Sequence, residues 1–183
     1  MLKGVIQPPV KILHQVLIEN GGFPNNPHLP VVLYKEVLKL PEQEDARSVM
    51  DIFAGNGWSN AWINGIYSYH HYHSNTHEVI GIIMGWCTVM LGGEKGVTSK
   101  LKKGDVLVIP AGVAHKSISH TDDFRCVGAY PDGRNYDMNY GKPVEHPASD
   151  LNIFQVPIPK KDPVYGKRGP LLVCWQSTGD NDC

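Results

Sequence analysis

The chain has 183 residues, 17 basic against 18 acidic, a net charge of −1 and a pI near 6.7. That is the size of one ordinary domain, able to bury a core without a disulfide scaffold or a structural metal. The balanced charge argues against a nucleic-acid footprint, and no apolar run reaches the ~18 residues of a membrane span.

Met1–Lys11 holds two prolines and no apolar core, so it does not read as a signal peptide, and a cytoplasmic protein is expected. Cys87, Cys126, Cys174 and Cys183 are widely spaced, which favours free thiols over a disulfide framework. With 19 Gly and 14 Pro, about 18% of the chain against a usual ~12%, many turns and few long helices are predicted.

In chain order, Val10–Leu17 between Pro8-Pro9 and Asn20-Gly21-Gly22 reads as a strand bounded by turns. Pro24, Pro27 and Pro30 predict an extended surface loop, and Val31–Leu40 is ambiguous. Between Glu44 and Ala54 the apolar residues Ala46, Val49, Met50 and Phe53 fall at helical spacing, with Gly55 at the stop. Seven strands follow: Ala61–Tyr69, Val79–Met84, Trp86–Leu91, Val97–Leu101, Val106–Ile109, Ala114–Ser119 and Phe124–Tyr130. Short strands at this spacing, joined by glycine turns, predict a sandwich or barrel. Pro131–Pro170 reads as an irregular extension, and Leu171–Trp175 as a last strand at a sheet edge.

Six of the nine histidines lie between His70 and His120. On an extended segment alternate residues share a face. His71 and His73 therefore point one way, with Tyr67 and Tyr69, while His70 and Tyr72 point the other. A turn at Ser74–Thr76 can fold Glu78 back beside that face, and a later strand can add His115. Three imidazoles and a carboxylate suit a divalent Mn, Fe, Co, Ni or Zn ion. The alternative is a metal-free, hydrogen-bonded cluster of the same residues, although an unpaired carboxylate is costly to bury.

His77 precedes Glu78 and should point away, unless a register slip swaps the faces. Ile80, Ile82 and Met84 share the face of Glu78 and would make an apolar wall. Tyr67 and Tyr69 are either packing residues or substrate contacts. His70 and His120 read as outer-sphere or surface groups, and Arg125 as an exposed arginine or an anion anchor.

Gly65, His71, His73, Glu78 and Gly85 fit G-x5-H-x-H-x4-E-x6-G; Gly104, Pro110, Gly112 and His115 fit G-x5-P-x-G-x2-H-x3-N, with Ser119 replacing its final Asn. These two blocks resemble the paired motifs of the cupins. The longer text, including "NGWSNAWINGIYSYHHYHSNTHEVIG" and "VGAYPDGRNYDMN", is similar to the YjlB-type bacterial branch.

The resemblance implies an all-β, double-stranded β-helix (jelly-roll) barrel, RmlC-like, with one short N-terminal helix and an irregular C-terminal extension. The whole chain, 1–183, would be a single cupin domain with its motif core at 60–130. It further implies His71, His73, Glu78 and His115 as ligands of one divalent transition metal (Fe, Mn, Ni, Co or Zn). His77, Tyr67, Tyr69, Ile80, Ile82 and Met84 would line the cavity or support the ligands.

No nucleotide-binding glycine motif, P-loop or nucleophile elbow is present, and nothing near Cys87 or Cys126 marks an activated thiol. The expected function is a metal-dependent cupin acting on a small oxygenated molecule, dioxygenase- or isomerase-like, through a Lewis-acid centre. The alternative is a non-catalytic cupin that binds a small metabolite with the metal as anchor. A homodimer is expected, and neither nucleic acid nor membrane is a predicted partner.

Overall fold

The computed structural model describes residues 4–43 and 45–176. Nine strands and three helices follow one another as β1 (Lys11–Leu17), β2 (Asn26–Lys35), α1 (Ala46–Gly55), β3 (Trp58–Asn64), β4 (Glu78–Met84), β5 (Trp86–Leu91), β6 (Val97–Lys102), β7 (Val106–Ile109), β8 (His115–His120), β9 (Arg125–Pro131), α2 (Ala148–Gln155) and α3 (Pro170–Gln176). A six-stranded sheet in the order β1-β2-β7-β4-β9-β3 faces a three-stranded sheet, β6-β5-β8, and all the pairings are antiparallel. This is the expected jelly-roll barrel. No helix among the described residues is long and apolar enough to cross a membrane.

The large sheet is covered on both faces. Ile80, Ile82, Leu107, Cys126, Val89 and Leu101 belong to the core between the sheets. Val79, Val106, Val108, Val127 and Ala129 point outwards and pack with Val49 and Phe53 of α1 and Trp175 of α3. Burial on both faces explains why β4 and β7 read as continuous apolar runs rather than alternating ones.

Helix α1 forms where the spacing predicts it, capped by the Asp45 side chain, which accepts from the Ser48 N–H at 3.1 Å. Ile52 rather than Met50 completes its buried stripe, and the left-handed residue after it is Gly57, not Gly55. Glu44, the expected first residue, lies outside the described residues.

Several expected boundaries are corrected. Pro27 and Pro30 lie inside β2 rather than in a loop; residues 27–30 have no ladder partner in either neighbour, so the missing N–H groups break no bond. The Ala61–Tyr69 strand is shifted to Trp58–Asn64, because β9 begins at Arg125 and offers 65–69 no partner. Leu171–Trp175 belongs to a helix, not an edge strand, and the C-terminal extension contributes α2 as well, so the described residues hold three α-helices rather than one. Cys87 and Cys126 are free, but Cys174 is disulfide-bonded, against the reading from sequence spacing; Cys183 lies outside the described residues.

Among the ties between the C-terminal extension and the large sheet, one carboxylate gathers the most donors. Fully buried Asp162 accepts from the Tyr34 hydroxyl at 2.6 Å and from the N–H groups of Val164, Tyr165 and Leu171 at 2.8, 2.9 and 3.1 Å. Asp162→Ala strands those donors and is expected to destabilise the protein by about 3 kcal/mol or more in urea denaturation. A loss below about 1 kcal/mol would mean that water replaces the carboxylate.

Candidate metal centre

Three histidines meet at one end of the barrel, each delivered by a different constraint. His115 is the first residue of β8. The turn before it approaches the backbone of residue 25 so closely that a Cβ at Gly112, where φ is +90°, would lie 2.4 Å from the Asn25 carbonyl oxygen. His71 forms an isolated antiparallel bridge with His115, with N–H···O distances of 3.2 and 2.9 Å in the two directions. His73 is held by its carbonyl, which accepts from the Gly112 N–H at 2.8 Å. The segment from His70 to His73 is therefore not a strand, but it keeps the alternation of one: Tyr72 turns away to pack with Phe23 and Ala114.

All three rings are buried, and one ring nitrogen from each lies within 4.8 Å of the others, an arrangement able to hold a metal ion. The Nδ1 atoms of His71, His73 and His115 lie 3.2, 2.6 and 3.1 Å from the carbonyl oxygens of Tyr69, Asp137 and Val113. A carbonyl only accepts, so each Nδ1 donates, and a ring that carries that one proton directs a bare Nε2 lone pair into the cavity.

Glu78, the first residue of the central strand β4, is buried with them. Its Oε2 lies 3.5 Å from His73 Nε2 and 3.3 Å from His115 Nε2, and it has no hydrogen-bond donor. Lone pairs and a carboxylate that face one another in a buried site require a positive charge between them, a proton or a cation. Burial alone would raise the Glu78 pKa and lower that of His73; their mutual attraction, with further hydrogen bonds, reverses both shifts. His71 follows its burial, which pushes it down to about 3. The donor set, three imidazoles beside one acid, fits a divalent transition metal.

Above this centre opens a cavity of about 130 Å³. Trp62, Ile63 and the 64–67 stretch wall one side, and Tyr136 and Met138 another; Ile80, Tyr130, Glu78 and the three histidines complete it. Tyr130 and Trp62 of this lining, and Asp137 behind His73, are not among the residues singled out from the sequence. Tyr130 donates to Glu78 Oε1 at 2.9 Å and accepts from Trp62 Nε1–H at 2.8 Å. Burial, followed by the Glu78 charge, drives its phenol upwards, so it stays protonated. Asp137 supports His73 through its carbonyl, while its carboxylate accepts from the Ser74 N–H at 2.7 Å. The alternation along β9, from Cys126 inside the barrel through Gly128 to Tyr130, was the available signal for Tyr130.

The other expected site residues divide. Ile80 and Tyr67 line the cavity. Tyr69 does not; it stacks on Tyr67 at 4.9 Å and is half exposed at the mouth. Ile82 and Met84 share a parity with Glu78 but not its depth. At ~3.3 Å per residue Met84 lies roughly 20 Å along the strand, and Ile82 is sealed in the inter-sheet core. His77 lies on the far side of the sheet against the Trp175 ring, at 4.6 Å. Arg125 is exposed and lines no part of the cavity. His70 packs on Phe23, its Nε2 3.2 Å from Glu94.

Residues 63–127 match the family model of the cupin domain. The chain is 45% identical over 157 residues to "Uncharacterized protein YjlB" of Bacillus subtilis (strain 168), covering 86% of this chain and 92% of that one. Among solved structures it is similar to the TDP-fucose-3,4-ketoisomerase of Campylobacter jejuni, at 14% identity and TM-score 0.38, over 45% of this chain and 67% of that one. It is also similar to the acireductone dioxygenase of Bacillus anthracis with a cadmium ion in its active centre, at 18% identity and TM-score 0.37, over 52% and 64%. Likeness of that depth concerns the fold alone.

The hydrogen bonds give a tautomer test. His77 Nδ1 accepts from the Ala111 N–H at 2.9 Å, so its ring carries the proton on Nε2, opposite to the three clustered rings. Two-bond ¹H–¹⁵N spectra near neutral pH should show His77 as the Nε2–H form and His71, His73 and His115 protonated at Nδ1. An Nδ1–H form at His77 would contradict the assignment.

Proposed function

The chain belongs to the YjlB-type cupins, and on that footing we propose that it is a metal-dependent protein acting on a small oxygenated molecule. The observation that carries this reading is the meeting of three imidazole lone pairs with the unpartnered Glu78 Oε2. His71, His73, His115 and Glu78 are the residues proposed to hold a divalent Fe, Mn, Ni, Co or Zn ion. When bound, such an ion supplies a Lewis acid and open positions for substrate oxygen, as dioxygenase- or isomerase-type chemistry requires.

The remaining residues shape what can reach it. Trp62, Tyr67 and Tyr136 give the cavity aromatic walls, and among the described residues no Lys or Arg lines it. Beyond the proposed metal itself a phosphorylated or multiply charged substrate finds no counter-charge in the walls, which favour an uncharged or singly anionic molecule with a flat face. Tyr130 is held as a donor to Glu78 Oε1, and Oε2 is the oxygen proposed to bind the metal, so neither group is free as a general base. That observation favours one second reading, a metabolite-binding cupin without turnover, in which the metal anchors the ligand.

Protein purified without added metal should carry about one equivalent of transition metal by elemental analysis, and His73→Ala and His115→Ala should carry far less. Binding at ~100-fold above Kd adds about 2.7 kcal/mol, and at ~2–4 °C per kcal/mol a chelator should lower the Tm by roughly 5–10 °C. Metal-free protein with an unaltered Tm in the presence of these ions would remove the reading. A screen of small diols, hydroxy acids and keto acids, under air and under nitrogen, separates the two functions: the enzyme reading requires turnover that Glu78→Gln abolishes.

The homodimer and the cytoplasmic setting belong to the same proposal. Strand β1 is one of the two edges of the large sheet, β3 being the other, and Val16, with Val10 and Ile18 beside the strand, is exposed along it. Such an edge suits pairing with a second copy. Sedimentation should give about twice the 20.3 kDa chain mass, and a Val16→Lys variant should sediment as a monomer; a monomeric parent would refute the dimer.

A further inference from the structure

Glu78 has two oxygens, and the protein treats them differently. Oε2 faces the His73 and His115 rings, while Oε1 is taken by the Tyr130 hydroxyl at 2.9 Å. That hydroxyl in turn accepts from Trp62 Nε1–H at 2.8 Å. An indole N–H can only donate, so it occupies the phenol oxygen as an acceptor and leaves the single phenol proton directed at the carboxylate.

The backbone is built to present this donor. The β3–β9 register shifts between Ser59 and Trp62, and Asn60 within the shift has φ of +55°. A bulge of this kind re-aims the next side chain. The Trp62 ring then lies flat over β9 at Gly128, where a Cβ would fall 2.1 Å from two ring carbons. A bulge, a glycine seat and two aligned hydrogen bonds thus converge on one carboxylate oxygen.

We propose that Trp62 and Tyr130 form a positioning relay that occupies Glu78 Oε1 and restricts the carboxylate to binding a metal through Oε2 alone. This inference rests on the metal-centre reading and adds to it a reason for the mode in which Glu78 binds. With the acid held to one oxygen, a bound ion would keep a position for a substrate oxygen that a two-oxygen grip would cover. Neither residue is catalytic in this account; both act through Glu78.

The test is Co(II) affinity by chelator competition on the full chain, for the parent, Tyr130→Phe, Trp62→Phe, Glu78→Gln and the Tyr130→Phe/Glu78→Gln double variant. Tyr130→Phe should weaken Co(II) by about 10- to 100-fold, as loss of a ligand's supporting hydrogen bond does. Trp62→Phe should weaken it less, in the same direction. In the Glu78→Gln background the Tyr130 substitution should add little, because the group it positions is already altered.

Unchanged affinity in Tyr130→Phe, or an equal loss in the Glu78→Gln background, overturns the relay and leaves the metal centre standing. A parent that binds no Co(II) overturns the metal centre and the relay together. Should Tyr130→Phe not fold by near-ultraviolet circular dichroism, Trp62→Phe decides: a loss of affinity supports the relay, and none overturns it.

Discussion

A carboxylate buried beside imidazole lone pairs is the constraint around which the barrel is organised. At about 4 Å, in a medium of effective dielectric near 20, unit charges interact with on the order of 4 kcal/mol. Glu78 Oε2 stands closer than that to two rings whose other nitrogens are committed to backbone carbonyls. Each ring has spent its one neutral proton outwards, so the inward nitrogens bring electron density towards a negative oxygen. Only an added positive charge turns this contact from repulsive to attractive, and the site is too buried for water to screen it cheaply.

The fold makes such a contact tolerable by giving the acid little freedom to retreat. Glu78 begins β4, the strand paired with β7 on one side and β9 on the other. Its sheet is packed by α1 and α3 on the outer face and by the smaller sheet on the inner one. An edge strand or a loop could swing the carboxylate into solvent; a central strand covered on both faces cannot. The same logic accounts for Asp162, whose buried charge is met by four donors and which ties the C-terminal extension over that outer face.

Much of this was legible in the sequence because alternation survives even where a strand does not. His71 and His73 share a face, and Tyr72 turns from it, although isolated bridges and single hydrogen bonds, not a ladder, hold the segment. What alternation does not convey is depth along a strand, which is why Ile80 lines the cavity and Ile82 and Met84 do not. Nor does it decide between strand and helix in a short apolar run such as Leu171–Trp175. Pro170, at the first position of α3, was the signal that favoured the helix there. Alternation along β9 does place Tyr130 on the inner face, but its importance lies in a hydrogen bond to Glu78 across 52 residues of sequence, which no local pattern records.

The interior of the barrel is divided, and the division places specificity in its least regular parts. Leu101, Leu107, Val89, Cys87 and Ile82 fill the inter-sheet space beyond the histidines with apolar side chains. A ligand therefore approaches only from the mouth, between the stretch after β3 that carries Tyr67 and the stretch after β9 that carries Tyr136 and Met138. Neither stretch is held in a sheet ladder, so their side chains can change without disturbing the strands that fix Glu78 and His115. On the proposed reading, the rigid centre would set what kind of chemistry is accessible, and the two irregular walls would set which molecule receives it. Relatives that keep the four inward residues but differ at Tyr67, Tyr136 and Met138 should accordingly differ in ligand rather than in metal.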